Sequence, residues 1–304
     1  MRFVVTGAAG FIGSHLAESL EAAGHQVVGI DCFTAYYDPA VKEENARDLD
    51  VLRLDLAEDP LDFAGFDCVF HLAAQPGVRS FGDVFPLYVR QNVLASQRVF
   101  EAAARDGVRV VFASSSSVYG EAERYPTPEE TPPAPLSPYG ITKLTSEHLA
   151  RAYERSFGLE IVTLRYFNAF GPRQRPDMAF SRIIDALLAG GSFDLYGDGR
   201  QSRGFTYVAD IVSATVAALE SERGSVYNVG GGTEASLLET IELLEALAGR
   251  RLDVHEGPPA PGDQRRTNAD TTRIRAELGW RPKVSLEEGL RAQWEWSAGR
   301  VAAR

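Results

Sequence analysis

The chain has 304 residues, 44% of them hydrophobic and 24% charged, with a formal net charge of −11. This is the composition of an ordinary soluble globular protein with material for one large or two modest domains. Its acidity argues against nucleic acid or an anionic membrane as partner, since both need clustered positive charge, whereas a small anionic ligand needs only a few converging arginines.

Cys32 and Cys68 are too few for a zinc site or a disulfide framework, and the five histidines show no metal-ligand spacing, so no metal is expected. Arg2-Phe3-Val4-Val5 is strand-like from the outset, with no charged-then-apolar leader before it and no run of 18 apolar residues after it. A cytoplasmic protein is predicted.

In chain order, Phe3-Val4-Val5 runs into Thr6-Gly7-Ala8-Ala9-Gly10-Phe11-Ile12-Gly13, after which Ile12, Leu16, Leu20 and Ala23 recur at helical spacing. Strand, glycine turn and helix in this order form a pyrophosphate cradle: the glycines permit a tight turn and close backbone approach, and the helix N-terminus offers free N–H groups. The strand Val27-Val28-Gly29-Ile30 ends in Asp31, where a carboxylate can accept from ribose hydroxyls or merely cap the strand. No arginine follows to receive a 2′-phosphate, which favours NAD over NADP.

Val51-Leu52-Arg53-Leu54 precedes Asp55-Leu56, and Cys68-Val69-Phe70-His71-Leu72 precedes Ala73-Ala74. Such near-continuous apolar strands predict a parallel sheet covered by helices on both faces, an α/β Rossmann-type doubly wound fold. Ala73 and Ala74 leave room for a flat cofactor or for close helix packing.

Val108 to Ala113 delivers Ser114-Ser115-Ser116-Ser117-Val118-Tyr119-Gly120 to the same carboxyl edge, where hydroxyls can satisfy local backbone or meet a sugar. A proline-rich connection leads to Ser137, an N-cap, and Pro138, a first helical residue. Tyr139 and Lys143 then stand one turn apart on one helix face. Alone, such a pair is common on solvated helices. Beside the glycine loop and the serine run it reads as a phenol whose pKa a neighbouring ammonium lowers toward that of a usable base.

TGAAGFIGSHL, Asp31, HLAA at 71 to 74, SSSSVYG at 114 to 120 and PYGITK at 138 to 143 together resemble the extended short-chain dehydrogenase/reductases, and within them the NAD-dependent nucleotide-sugar epimerases and dehydratases. The resemblance covers essentially the whole chain. It implies that Tyr139 takes the proton of the sugar 4-hydroxyl while NAD accepts the hydride from C4, that Ser115 bonds the same oxygen, and that Lys143 binds the nicotinamide ribose. The 4-keto sugar then turns over and is reduced on its other face, inverting C4. Cofactor contacts are implied for Gly7, Gly10, Phe11, Ile12, Gly13, Asp31, Asp55, Leu56, Leu72, Ala73, Ala74, Asn92 and Tyr166, with Phe167 beside the nicotinamide.

Substrate contacts are implied for Arg79, Ser115, Ser116, Ser117, Asn168, Arg175, Arg203 and Arg266, the last two on the nucleotide diphosphate. Family dehydratases carry an Asp-Glu pair after the catalytic hydroxyl, and the decarboxylases usually a Glu near it. Ser116 and Ser117 stand there instead, and hydroxyls of ordinary pKa are poor acids and bases. Epimerisation without elimination is therefore expected.

Arg173-Gln174-Arg175-Pro176-Asp177-Met178-Ala179 and Ala35-Tyr36-Tyr37-Asp38 resemble the loops of glucuronate 4-epimerases, although Asn168 stands where many of those carry threonine. Arg175 is expected to clamp the sugar carboxylate, the alternatives being a diphosphate clamp or a solvated loop. The substrate implied is UDP-glucuronic acid, with UDP-glucose or UDP-N-acetylglucosamine as the neutral alternative and a non-catalytic NAD sensor as another. Residues 1–168 with about 206–230 are expected to form the NAD-binding domain, and 169–205 with 231–304 the sugar-binding domain. The family further implies a homodimer packed through the helix after Tyr139. Ser236 and Glu239 predict a capping box on a last-domain helix.

Overall fold

The structure, a computed structural model, describes residues 1–78, 81–258 and 264–302. Its frame is a sheet of strands β1 (Arg2–Thr6), β2 (Gln26–Asp31), β3 (Val51–Arg53), β4 (Cys68–His71), β5 (Arg109–Ser115), β6 (Ile161–Tyr166) and β10 (Val226–Val229), all parallel, in the order β10-β6-β5-β4-β1-β2-β3. The chain moves from β1 out to β3 and then returns to β4 on the other side of β1. That reversal opens a crevice beyond the carboxyl ends of β1 and β4, the place where such sheets hold ligands.

Alternating side chains separate the two faces. Phe3 and Val5 pack with Leu16 and Leu20 of α1 (Phe11–Ala22) and with Ile211 of α7 (Val208–Ala217). Val4, Val69, Val110 and Phe112 pack with Phe100 and Ala103 of α4 (Ala95–Asp106) on the other face. Four fully buried aromatic or β-branched positions in the middle strands account for their apolar sequences. β3 departs from that expectation: it pairs only with β2 at the sheet edge, and Leu52 is 47% exposed.

The second lobe is built on β9 (Ser202–Tyr207), which pairs with β7 (Ala169–Phe170), β11 (Thr233–Ser236) and β13 (Arg266–Thr267), and on the parallel pair β8 (Ser192–Tyr196) and β12 (Asp253–Gly257). Phe170, Phe180, Phe205 and Tyr207 interlock there, with Phe180 and Phe205 ring centroids 4.6 Å apart. Helix α8 (Leu237–Ala248) starts at the capping box of Ser236 and Glu239.

After β9 the chain returns to the first lobe. Helix α7 packs on α1, and β10 joins the large sheet. The expected division at 231–304 is too simple: α9 (Thr272–Leu278) carries Ile274 and Leu278 one turn apart into the first lobe's core, and the Trp280 indole follows, donating to Asp210 O and Ser213 Oγ. Among the described residues no helix is long and apolar enough to cross a membrane.

Candidate active site

A cavity of about 640 Å³, within the size range of small-molecule sites, lies in the crevice between the lobes. Its floor is the glycine turn. Gly7 has φ +73°, and a Cβ there would lie 2.9 Å from Ala73 N; one at Gly13 would lie 2.0 Å from Gly7 O. Gly10 caps α1 without a side-chain hydrogen bond, so the first N–H groups of a twelve-residue helix stay open beside the cavity. Asp31 lines the cavity at the end of β2, accepting from Phe33 N at 2.8 Å and Ala9 N at 3.2 Å. Burial pushes its carboxyl up, and the Phe33 hydrogen bond, Lys42 and Ala9 oppose that.

The wall is made by register. Ser115 on β5 stands opposite Tyr166 on β6, and α5 (Pro138–Phe157) begins against the serine turn. Ser137 Oγ accepts from Gly140 N at 3.1 Å, and a Cβ on Gly140 would meet Ser117 O at 2.4 Å. Glycine at 140 thus lets the helix seat close enough to bring Tyr139 beside Ser115, a positioning role signalled only by the Tyr-Gly pair. Ser115 Oγ accepts from Ser117 N and donates to Ser117 Oγ, each at 3.1 Å.

The Tyr139 phenol does not behave as the Tyr-Lys spacing alone predicts. Burial pushes its pKa up, while the positive charge of Arg175 and a hydrogen bond with Ser115 pull it down. Lys143 is itself buried, its Nζ 6.0 Å from the Tyr139 ring centroid and donating to Ala113 O at 2.8 Å. Burial holds its ammonium down to about 7, opposed by Glu147 one turn on. Burial disfavours the charged form of both groups, and that loss of hydration is the leading influence on each.

That depression predicts a pH dependence of stability. Between about pH 7 and 10.4 the unfolded chain keeps the Lys143 proton and the folded chain sheds it, so this group's contribution grows with rising pH and is lost as pH falls through 7. Urea unfolding from pH 6.5 to 9.5 will give a stability slope steeper than that of Lys143→Met by up to about 1.4 kcal/mol per pH unit. Parallel slopes would contradict it.

Phe11, Ile12, Leu56, Leu72, Ala73, Ala74, Ser116, Ser117, Tyr166, Asn168, Arg175 and Arg203 also line the cavity. Tyr166 shares a 2.6 Å hydrogen bond with Thr215, and Asn168 donates to Thr267 Oγ1 at 2.7 Å. Three expected contacts lie elsewhere. Asn92 is buried behind the wall, exchanging hydrogen bonds with the Gln75 backbone and donating to Thr142 Oγ1. Asp55 turns away to Arg90 at 2.7 Å and to Ala57 N, leaving Leu56 to face the cavity. Arg266 is taken up by Glu234 in two hydrogen bonds of 2.6 and 2.8 Å and lies outside the cavity lining. Arg79 falls outside the described residues.

Two features were not predicted from sequence. Below the serine turn, Arg165 and Glu147 form a buried bidentate ion pair, which Ser114 and Tyr119 join. At the opposite wall Arg175 is paired with Asp177, and Tyr36 reaches Asp177 from the first lobe. Single side chains of common type gave no signal for either.

The glycine cradle, the open end of α1, Asp31 and the small Ala73 and Ala74 together fit a dinucleotide. Comparison with known proteins agrees. An uncharacterised UDP-glucose epimerase, YtcB, of Bacillus subtilis is 42% identical over 95% of this chain and 96% of its own. The structure of UDP-glucuronic acid 4-epimerase from Bacillus cereus with UDP-glucuronic acid and NAD has 39% identity and a TM-score of 0.93 over 99% of this chain and all of that one. UDP-glucose 4-epimerase of Thermotoga maritima with UDP-glucose has 32% identity and a TM-score of 0.90 over 99% of this chain and all of that one. Residues 3–230 match the model of the NAD dependent epimerase/dehydratase family. The chain belongs to that family and is an NAD-dependent epimerase.

Proposed function

We propose that the protein inverts C4 of UDP-glucuronic acid, giving UDP-galacturonic acid. The observation that carries this reading is the Arg175 guanidinium, which lines the same cavity as Tyr139 and Ser115 and lies close enough to be the strongest electrostatic influence lowering the phenol. A guanidinium in the same cavity as the base suits a carboxylate carried by C5, the ring carbon next to the reacting C4.

NAD, when bound, supplies a hydride acceptor and a positive charge. Tyr139 takes the proton of the 4-hydroxyl, Ser115 hydrogen-bonds the same oxygen as it becomes a ketone, and Lys143, held in place by its hydrogen bond to Ala113 O, would bind the nicotinamide ribose. Once the 4-keto sugar has turned over, the hydride would return to the other face of C4 while Tyr139 gives the proton back to O4, inverting C4 with no net redox change. Ser116 and Ser117 supply no acid or base for elimination.

Arg175→Ala is expected to weaken binding of UDP-glucuronic acid by about 10- to 100-fold, the loss of a charged hydrogen-bonded contact, and to change the Kd of UDP-glucose, read by calorimetry, by less than about 3-fold. Equal effects on both sugars would move the reading to the neutral substrate. One observation favours that second reading: Asp177 already fills the Arg175 fork.

The working unit is proposed to be a homodimer joined along α4 and α5, near which Leu94, Ile141 and Phe157 are 43, 46 and 68% exposed. A monomer mass in light scattering would contradict it.

A further inference from the structure

The loop that carries Arg175 is braced from two sides. Arg173, at φ +64°, pairs with Glu18 of α1 at 2.7 Å. Gln174 donates to Ala169 O and accepts from Ser181 N and from Gln293 Nε2. Met178 N closes the turn on Arg175 O. With the backbone fixed, what remains adjustable is the side-chain pairing above it.

That pairing is a planar fork: Arg175 Nε to Asp177 Oδ1 at 2.9 Å and Nη2 to Asp177 Oδ2 at 3.1 Å. Tyr36 OH donates to Asp177 Oδ2 at 3.2 Å from a loop 141 residues away, across the cavity. The Arg175 and Asp177 side chains are 24 and 36% exposed and both line the cavity, so an entering sugar meets them together. This is the geometry a sugar carboxylate would itself adopt on a guanidinium.

We propose that Asp177 is a specificity-determining residue, an internal carboxylate that competes with the sugar's for Arg175 and so sets how strongly the site prefers an anionic over a neutral nucleotide sugar. A uronate must displace Asp177 or bind the guanidinium beside another negative charge. A neutral hexose leaves the pair closed, and no bare guanidinium is stranded in a water-poor site. Asp177 therefore reduces discrimination against neutral sugars. Tyr36, by holding the competing oxygen, favours the closed pair. The inference rests on Arg175 being the group that reads a sugar carboxylate.

The test is calorimetric titration of the intact NAD-loaded enzyme with UDP-glucuronic acid, UDP-glucose and UDP, in the wild type, Asp177→Asn and Tyr36→Phe. In Asp177→Asn, binding of UDP-glucuronic acid will tighten about tenfold, with UDP unchanged and UDP-glucose unchanged or weakened by up to about threefold. Tyr36→Phe will move the uronate-to-hexose ratio the same way by about two- to threefold, and it serves alone if Asp177→Asn does not fold. A ratio that stays constant or falls would overturn the proposal and make Asp177 a support that orients Arg175. If Arg175→Ala leaves uronate binding of the wild type unaltered, the reading of Arg175 fails first, separately from the role of Asp177.

Discussion

Tyr139→Phe will lower kcat for C4 inversion by about 10²- to 10⁴-fold, the range for loss of a positioned general base, while nucleotide-sugar KM moves only a few-fold. The change removes one oxygen from the cavity wall and leaves the ring. The neighbouring hydroxyls of Ser115, Ser116 and Ser117 remain, but a hydroxyl of ordinary pKa is a poor base. Burial pushes the Tyr139 phenol up, with Arg175 and the Ser115 hydrogen bond as opposing influences. Its activity as a base therefore depends on positive charge gathered at the site. Steady-state kinetics on purified variants decide the matter: a loss under about tenfold would take the base role from Tyr139.

The second large effect concerns stability. Glu147→Ala is expected to cost about 3–5 kcal/mol, because it strands the charge of Arg165 in the interior. The two side chains are 8 and 10% exposed, and Arg165 donates to Glu147 at 3.0 and 2.7 Å. Ser114, adjoining Ser115, donates to Glu147 at 2.5 Å, and Tyr119 accepts from Arg165 at 2.8 Å. One buried pair thus ties α5, one turn beyond Lys143, to the strands that present the serine turn and Tyr166. Urea unfolding reads the loss. Replacing both partners together, as Glu147→Leu with Arg165→Met, should recover most of it, since apolar pairs of similar volume often match a buried ion pair. A single-variant cost under about 1 kcal/mol would contradict this account.

Much of the site was legible because its signals are local. The glycine turn, Asp31 at a strand end, the serine run and Ser137-Pro138-Tyr139 all act within a few residues, so spacing alone locates the floor and wall of the cavity. Whatever depends on distant partners escaped. Asn92 looks like a ligand contact in sequence, yet Gln75 and Thr142 take up its amide behind the wall. Arg266 looks like a phosphate contact until Glu234 arrives from another strand. The phenol of Tyr139 was expected to be depressed by Lys143, but burial governs both groups, and burial is a property of the assembled lobes. Leu52 reads as a buried strand residue, and only the sheet order shows its strand to be an edge. Helix α9 likewise chooses its lobe by where Ile274 and Leu278 find a matching surface.

The central claim is C4 inversion of a uronate by an enzyme that retains its NAD. It is tested most directly by incubating the purified protein, with no NAD added, with UDP-glucuronic acid and separately with UDP-glucose, and following the anomeric protons by NMR. The account predicts UDP-galacturonic acid from the first and little or no product from the second. UDP-galactose formed in place of UDP-galacturonic acid, or a UDP-pentose from loss of the carboxylate, would contradict it.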